Sequence, residues 1–262
     1  MTPAAPRPAG RVWVVGLGPG ADRWRTPEAS DVLARATDLV GYGTYLDMAA
    51  GLAPGATRHA SDNREEAARA AHALDLAAAD PAAEVAVVSS GDPGVFAMAA
   101  AVLEQLDRPD ADPAWAAVEV TVCPGVTAAQ AAAAAAGAPL GHDFAVISLS
   151  DNLKPWELVE RRLDACAAAD LVVALYNPVS RHRPWQLGRA LEVLAGHRAG
   201  ATPVVLGRDV GRPGGTTRVT TLAELTPDQV DMRTVVVVGS STTRPVRSRA
   251  GSVYTPRSHP GR

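Results

Sequence analysis

Lysine, cysteine and aromatic side chains are scarce in this chain. Of its 262 residues, two are cysteine, 4% are Phe, Trp or Tyr, and Lys154 is the single lysine. Two cysteines that lie far apart exclude a disulfide-rich scaffold and favour a cytoplasmic protein. No cluster of Cys and His has the spacing of metal ligands, so we expect no metal centre of the protein's own.

An excess of charge of one sign and long apolar runs are also missing. The formal net charge is −3, and no uninterrupted apolar stretch approaches the ~18 residues that a membrane span needs. We therefore expect neither a nucleic-acid partner nor a membrane partner. Because 47% of the residues are hydrophobic, the chain is long and apolar enough for a globular fold with a sizeable core.

The first apolar run leads into a glycine-rich turn, VWVVGLGPGADRWRTPEAS at 12–30. It matches G-x-G-x-x-[GA], and Asp38 follows at about the distance of a ribose-binding acid, which are features of a dinucleotide site. Such a site needs a helix that begins within the turn, but Pro19 removes an amide donor there. The next helix start is Thr26-Pro27-Glu28. Two alternatives remain for this turn: it brings bare backbone close to a different ligand, or it is a plain tight turn with no ligand.

Short β-branched runs alternate with Ala/Leu/Arg/Glu-rich stretches, which predicts an α/β protein with mixed or mainly parallel sheets. The predicted strands are 11–15, 38–40, 84–89, 118–122, 144–149, 171–176, 203–207, 217–221 and 234–239. The predicted helices are 27–36, 64–79, 93–106, 127–136, 155–168 and 184–195. The last two strands lie close together in sequence, which favours an antiparallel addition.

A breaker cluster at 135–141, AAGAPLG, predicts a boundary between two domains. We place the first domain at 11–136 and the second at 142–243. The ends, 1–10 and 244–262, are expected to be flexible tails.

Polar and glycine-rich turns follow four of the predicted strands: SGDPGVF at 90–96, CPGVTAA at 123–129, LYNP at 175–178 and LGRDVGR at 206–212. Ligand sites in α/β folds lie beyond the carboxyl ends of strands, where these turns are expected. Asp92 can equally be a cap of the following helix, and Leu206 can equally be a core residue.

Together with GLGPG, the order and spacing of these turns resemble the tetrapyrrole methylase family, the class III S-adenosylmethionine-dependent methyltransferases. Three longer stretches are similar to the branch that methylates ring carbon 17 and contracts the macrocycle in cobalamin biosynthesis. They are GHDFAVISLSDNLKPW at 141–156, ALYNP at 174–178, and DMRT at 231–234 leading to GSS at 239–241.

The resemblance implies a homodimer of two-domain α/β subunits, with mixed sheets flanked by helices and a cleft between the domains. S-adenosylmethionine would bind there and leave as S-adenosylhomocysteine, and a tetrapyrrole would be the substrate. The cofactor residues implied are Gly91, Asp92, Val95, Thr127, Ala128, Tyr176, Asn177, Leu206 and Gly207. Gly18, Pro19 and Gly20 would face the tetrapyrrole.

Ring contraction requires a hydroxyl proton to leave while a carbon migrates, which favours a positioned acid–base group. The candidates are His142, Asp143, Asp151 and Lys154, although each can also be an ordinary turn, cap or surface residue. Arg208 and Arg212 are candidates for substrate carboxylates, which guanidinium groups bind in a bidentate manner. The alternatives are a class III methyltransferase with another substrate, a cofactor-binding but inactive scaffold, and a nicotinamide-dependent oxidoreductase.

Overall fold

The computed structural model describes residues 9–62 and 65–258. The chain divides into two compact units, the first ending at Thr127 and the second beginning at Ala128. Residues 1–8 of the predicted N-terminal tail and 259–262 of the predicted C-terminal tail lie outside the described residues, as does Arg64, the predicted start of one helix.

The first unit contains one parallel sheet with strand order β3-β2-β4-β1-β5. Its strands are β1 (Arg11–Gly16), β2 (Asp38–Tyr42), β3 (Thr57–Ser61), β4 (Glu84–Ser89) and β5 (Glu119–Cys123). Its helices are α1 (Pro27–Arg35), α2 (Gly43–Ala49), α3 (Glu66–Ala79) and α4 (Met98–Leu106).

Both faces of this sheet are covered, because successive strand residues point to opposite sides. Val12 and Val14 of β1 pack with α3 and α4, whereas Val15 packs with α1 and α2. All five strands are parallel, so their carboxyl ends lie along one edge of the sheet. The turns that follow β1, β4 and β5 are therefore neighbours.

The second unit contains a mixed sheet with strand order β10-β9-β11-β8-β7. Its strands are β7 (Phe144–Ser148), β8 (Val172–Tyr176), β9 (Pro203–Arg208), β10 (Thr216–Thr221) and β11 (Thr234–Val238). Its helices are α5 (Ala128–Ala136), α6 (Trp156–Ala168) and α7 (Gln186–Ala195). Helices α6 and α7 cover one face of the sheet and α5 covers the other.

The strand directions bring four chain segments to one edge of this second sheet. Strands β7 and β8 are parallel, and β11 is antiparallel to both β8 and β9. The carboxyl ends of β7, β8 and β9 therefore lie beside the amino end of β11. The predicted antiparallel addition is confirmed, since β10 and β11 both pair antiparallel with β9.

Two elements of the first unit were not predicted. Helix α2 follows β2 without a break, and β3 has the sequence TRHAS, which contains no apolar run. As an edge strand, β3 needs little apolar sequence. Helix α4 was predicted from Pro93 but begins at Met98, because Phe96 has a left-handed φ of 52° that no α-helix accommodates.

The described part of the predicted C-terminal tail, residues 244–258, is folded and is not a flexible tail. It contains β12 (Arg244–Pro245) and β13 (Val253–Tyr254), and β13 pairs with β6 (Gly137–Ala138). Val253 is 1% exposed, so this segment is anchored in the second unit. The units divide one helix earlier than the predicted boundary, because α5 packs on the second sheet.

Candidate functional site

The turn after β1 is held against the turn after β4 by backbone hydrogen bonds. Gly18 N donates to Gly91 O at 3.1 Å, and Gly91 N donates to Gly18 O at 2.8 Å. The φ angles of Gly18 and Gly20 are +69° and +138°, which glycine adopts far more readily than other residues. The glycines after β1 therefore make a compact turn in which little except backbone is presented.

The turn after β5 packs equally closely on the other two. A Cβ atom added at Gly125 would lie 2.2 Å from Gly91 O, and one added at Gly16 would lie 2.8 Å from that same oxygen. A carbon cannot approach a carbonyl oxygen so closely. These glycines are thus required for three chain segments to meet at the sheet edge.

Asp92 joins two of these turns through its carboxylate. Its Oδ1 accepts from Gly94 N at 2.8 Å and its Oδ2 accepts from Gly125 N at 2.9 Å. The interpretation of Asp92 as a cap of α4 is wrong, because that helix begins only at Met98 and Asp92 caps a turn instead. Val95 lies in the same loop and is half-buried.

The dinucleotide alternative fails on two geometric grounds. Helix α1 begins at Pro27, with Thr26 Oγ1 accepting from Ala29 N at 3.1 Å, and only a three-residue 3-10 turn at Asp22–Trp24 precedes it, so no α-helix starts in the glycine turn. Asp38 is the first residue of β2. It pairs with Val85 of β4, which in turn pairs with Val12, near the start of β1. It therefore lies at the amino end of the sheet, on the order of 13 Å from the turn at ~3.3 Å per strand residue.

In the second unit, Tyr176 and Gly207 bring α5 onto the sheet. The Tyr176 hydroxyl accepts from Ala129 N at 2.8 Å, in the first turn of α5 immediately after Ala128. A Cβ atom at Gly207 would lie 2.5 Å from Ala132 Cβ, so the helix packs directly on the strand backbone. Thr127 precedes this helix.

Asn177 and Leu206 have different surroundings. Asn177 has a left-handed φ of 52°, and its Nδ2 donates to Ser148 Oγ at 3.0 Å, which links the ends of β8 and β7. The Leu206 side chain is 6% exposed and packs in the core with α6 and α7. The core interpretation of Leu206 is therefore correct, and its side chain is not part of a ligand site.

The catalytic candidates separate into two groups, at opposite ends of β7. His142 and Asp143 precede this strand, whereas Asp151 and Lys154 follow it. Five strand residues span about 16 Å. The four candidates therefore flank β7, as their sequence positions imply, but the strand holds the two pairs apart.

His142 and Asp143 lie by a shallow depression at the amino end of the sheet, which Asp170, Ser240 and Thr242 also line. His142 Nδ1 accepts from Asp143 N at 2.8 Å. Asp170 is already bound to the buried Arg198 at 3.1 Å. This arrangement stabilises these strand ends. It is remote from the opposite edge of the sheet, where the carboxyl ends of β7, β8 and β9 lie.

Asp151 and Lys154 lie at the carboxyl end of β7 with two buried polar side chains. Gln186 Nε2 donates to Asp151 Oδ2 at 3.1 Å, and Lys154 Nζ donates to Ser150 O at 2.9 Å. Arg183 is 7% exposed and donates to Asn177 O at 2.8 Å. Burial, together with the positive charges of Arg162 and Arg183, holds the pKa of Lys154 below its usual value despite Asp151.

Arg208 and Arg212 belong to an arginine cluster around one buried carboxylate. Asp209 has a side chain only 4% exposed and accepts from Arg233 Nε at 3.0 Å and Nη2 at 2.7 Å. Arg208 Nη1 lies 3.5 Å from Asp209, and Arg212 Nη1 lies 3.9 Å from it. Arg208 also donates through Nε to Asp231 at 2.9 Å.

This cluster has a net positive charge, since three guanidinium groups face two carboxylates. Burial opposes ionisation of Asp231, yet hydrogen bonds from Thr234 and Arg208 hold the pKa of Asp231 below its usual value. The Arg208 and Arg233 side chains remain 43% and 57% exposed. They are thus oriented but can still contact a ligand.

Sequence reasoning missed Arg233 and Gln186 as members of this edge. Arg233 lies within the DMRT motif, but only the structure, through its bidentate contact with Asp209, shows that it belongs to this sheet edge. Gln186 carries no sequence signal. The described residues contain no group of three or more His, Cys, Asp or Glu arranged to hold a metal ion. None of the described helices is both long and apolar enough to cross a bilayer.

Comparison with known proteins agrees with this arrangement of strand-end turns. Residues 11–226 match the family described as Tetrapyrrole (Corrin/Porphyrin) Methylases. The chain belongs to the tetrapyrrole methylase family.

Two curated relatives cover nearly all of the chain. One is precorrin-3B C(17)-methyltransferase of Sinorhizobium sp., 50% identical over 96% of this chain and 98% of that protein. The other is cobalamin biosynthesis protein CobIJ of Mycobacterium bovis, 53% identical over 96% of this chain. The chain spans about half of CobIJ, 49% of its length.

A solved structure of the methyltransferase CobJ superimposes on this chain with a TM-score of 0.86 at 50% identity. The match covers 94% of this chain and 100% of that one. The tetrapyrrole methylase fold predicted from the strand-end motifs is therefore confirmed.

Proposed function

We propose that this chain is an S-adenosylmethionine-dependent C-methyltransferase that methylates precorrin-3B, or its cobalt form, at carbon 17. Ring contraction would accompany methylation and give precorrin-4 in cobalamin biosynthesis. The observation that carries this proposal is the 50% identity to a precorrin-3B C(17)-methyltransferase over 98% of its length. The matched region also covers 96% of this chain.

The methyl donor would be S-adenosylmethionine, which supplies a sulfonium methyl group and leaves as S-adenosylhomocysteine. In the first unit we assign Gly91, Asp92, Val95 and Thr127 to its binding. A Cβ atom at Gly91 would meet Thr127 Cα at 3.8 Å, an ordinary van der Waals contact, so packing does not require a glycine here as it does at Gly125. The half-buried Asp92 carboxylate supplies negative charge next to this glycine.

In the second unit we assign Ala128, Tyr176, Asn177 and Gly207 to the adenosine portion. Tyr176 and Gly207, at the carboxyl ends of β8 and β9, hold α5 against the sheet. The helix therefore begins, with the small Ala128, near these strand ends. We do not assign the Leu206 side chain to the adenosine portion, because that side chain packs in the core.

For the substrate we assign the turn after β1 in the first unit and the arginine cluster in the second unit. Gly18 and Pro19 are buried and Gly20 is half-buried, so these small residues would form the base of a site for a flat macrocycle. Arg208 and Arg212, now joined by Arg233, would pair with substrate carboxylates, which match the fork of guanidinium donors. The net charge of the cluster supports an anionic ligand.

For the proton transfer of ring contraction we retain Asp151 and Lys154 and withdraw His142 and Asp143. A lowered pKa increases the fraction of Lys154 that is a neutral amine able to accept a proton. Methyl transfer itself requires mainly alignment of the acceptor carbon with the methyl group, and such positioning can contribute ~7–11 kcal/mol.

We also propose that the protein is a homodimer. Exposed apolar side chains of the first unit, Phe96 at 51%, Leu103 at 50% and Val122 at 39%, are available to be covered by a second copy. Light scattering after size-exclusion chromatography tests this, and a monomeric mass at micromolar concentration would contradict it. The cytoplasmic location stays a prediction from the sparse cysteines.

The decisive experiment is incubation with labelled S-adenosylmethionine and precorrin-3B, in metal-free and cobalt-loaded forms. We expect mass analysis to show one added methyl group on one of these substrates. Uroporphyrinogen III serves as the comparison substrate. Methylation of uroporphyrinogen III alone would assign the chain to another member of the family, and no transfer to any of them would contradict the proposal.

A further inference from the structure

Two histidines and an aspartate form a hydrogen-bonded chain on the first unit, away from the strand-end turns. Asp38 begins β2, His59 lies in the edge strand β3, and His72 lies on α3. His59 Nε2 is 2.8 Å from Asp38 Oδ1, and His59 Nδ1 is 3.0 Å from His72 Nε2. The His72 side chain is exposed, so the pair can be reached from solvent.

The Asp38 carboxylate decides which nitrogen of His59 carries the proton. An ionised carboxylate only accepts, so Nε2 of His59 is the donor and the lone pair of a neutral ring lies on Nδ1. That lone pair faces His72 Nε2. Two ring nitrogens at 3.0 Å require a proton or a metal cation between them.

The same arrangement is the one in which proteins orient metal-binding imidazoles. A histidine that binds metal through one nitrogen usually donates its other N–H to a carboxylate, which fixes the ring and raises its basicity. We propose that His59 and His72 bind a divalent transition-metal ion, with Asp38 as the orienting residue and water in the remaining positions.

The nitrogen separation is compatible with both imidazoles binding one metal ion. With metal–nitrogen bonds of about 2.05 Å, a right angle at the metal separates two nitrogens by about 2.9 Å and a tetrahedral angle by about 3.3 Å. The observed 3.0 Å is the length of an N–H···N hydrogen bond and also lies close to the right-angle value, so the two rings are near enough for one metal ion to replace the proton. Because Cu²⁺ stands highest in the affinity order, the site should prefer Cu²⁺ to Zn²⁺.

The test uses full-length protein without a polyhistidine tag and titrates Cu²⁺ in glycine buffer as a competitor. Electron paramagnetic resonance should show one bound Cu²⁺ with splitting from two imidazole nitrogens. His72→Ala should weaken binding at least tenfold and leave one nitrogen in the spectrum. Asp38→Asn should weaken binding about tenfold through loss of orientation.

His197 provides the matched control. Its Nε2 lies 2.8 Å from Asp164 Oδ1, the same distance as in the His59–Asp38 pair, and no second imidazole contacts it in the part of the chain that the structure describes. His197→Ala should leave affinity and spectrum unchanged. Bound metal should also raise the melting temperature of the wild type, because it binds only the folded pair.

Equal Cu²⁺ affinity and an unchanged spectrum in His72→Ala would overturn the proposal, as would an equal loss in His197→Ala. His59→Gln is a second variant for the same site. If His59→Gln unfolds the first unit because the contact with Asp38 is lost, His72→Ala still tests the proposal, because the His72 side chain is exposed. The assay needs no tetrapyrrole or methyl donor, so its outcome is independent of the proposed enzymatic function.

Discussion

Replacing Asp92 tests whether the turns after β4 and β5 must be joined for the cofactor to bind. Asp92→Ala removes two charge-assisted hydrogen bonds, to Gly94 N at 2.8 Å and to Gly125 N at 2.9 Å. Such bonds contribute about 1.5–3 kcal/mol each, and solvent exposure at Gly94 favours the low end. We therefore expect the variant to lose about 3 kcal/mol of stability.

Asp112 offers a matched control for the local part of that loss. Its Oδ1 accepts from Ala114 N at 2.8 Å, the same two-residue spacing and distance as in the Asp92–Gly94 bond, but Asp112 joins no second loop. Asp112→Ala should cost about 1 kcal/mol, as for a lost cap. The remaining ~2 kcal/mol for Asp92→Ala is then the bond between the two turns.

Thermal melting and calorimetry with S-adenosylhomocysteine separate stability from binding. At about 2–4 °C per kcal/mol, the melting temperature should fall by about 6–12 °C for Asp92→Ala and by 2–4 °C for Asp112→Ala. Affinity should fall at least about tenfold in Asp92→Ala, which corresponds to 1.4 kcal/mol, and should not change in the control. Unchanged affinity in a folded Asp92→Ala variant would remove Asp92 from the cofactor site.

Gly125→Ala should lower the melting temperature strongly, because its Cβ would lie 2.2 Å from Gly91 O, and a wild-type melting curve would refute this packing. If Lys154 is the base, the rate should rise with pH through a pKa below the usual 10.5, since the neutral amine accumulates there, and Lys154→Met should abolish that rise. Burial raises the pKa of Cys123 to about 11, so this thiol should resist iodoacetamide at pH 8 in native protein, as mass analysis of tryptic peptides would show.

Local sequence determined the regular elements and the position of the turns. Strand β4 is the apolar run 84–89 itself, and Thr26-Pro27 starts α1 because capping and a fixed φ act within one turn. The same local chemistry excluded a dinucleotide helix at Pro19. Strand β3 escaped prediction because an edge strand forms through pairing with β2 and needs no apolar pattern of its own.

The candidate site depended more on strand direction than on motif. Asp143 and Asp151 are close in sequence, yet β7 separates them, because an extended strand carries its two ends far apart. Residues distant in sequence come together instead, as Arg233 does at Asp209.

The sequence alone thus determined the alternation of strands and helices, the glycines that make tight turns, and the family to which the turns belong. Only the tertiary structure decided which polar side chains share an edge. It buried Leu206 in the core, surrounded Asp209 with arginines, and placed His59 of an edge strand against His72 of a helix. The physical reason is that backbone preferences act over a few residues, whereas charge pairing and ligand geometry depend on which strands become neighbours.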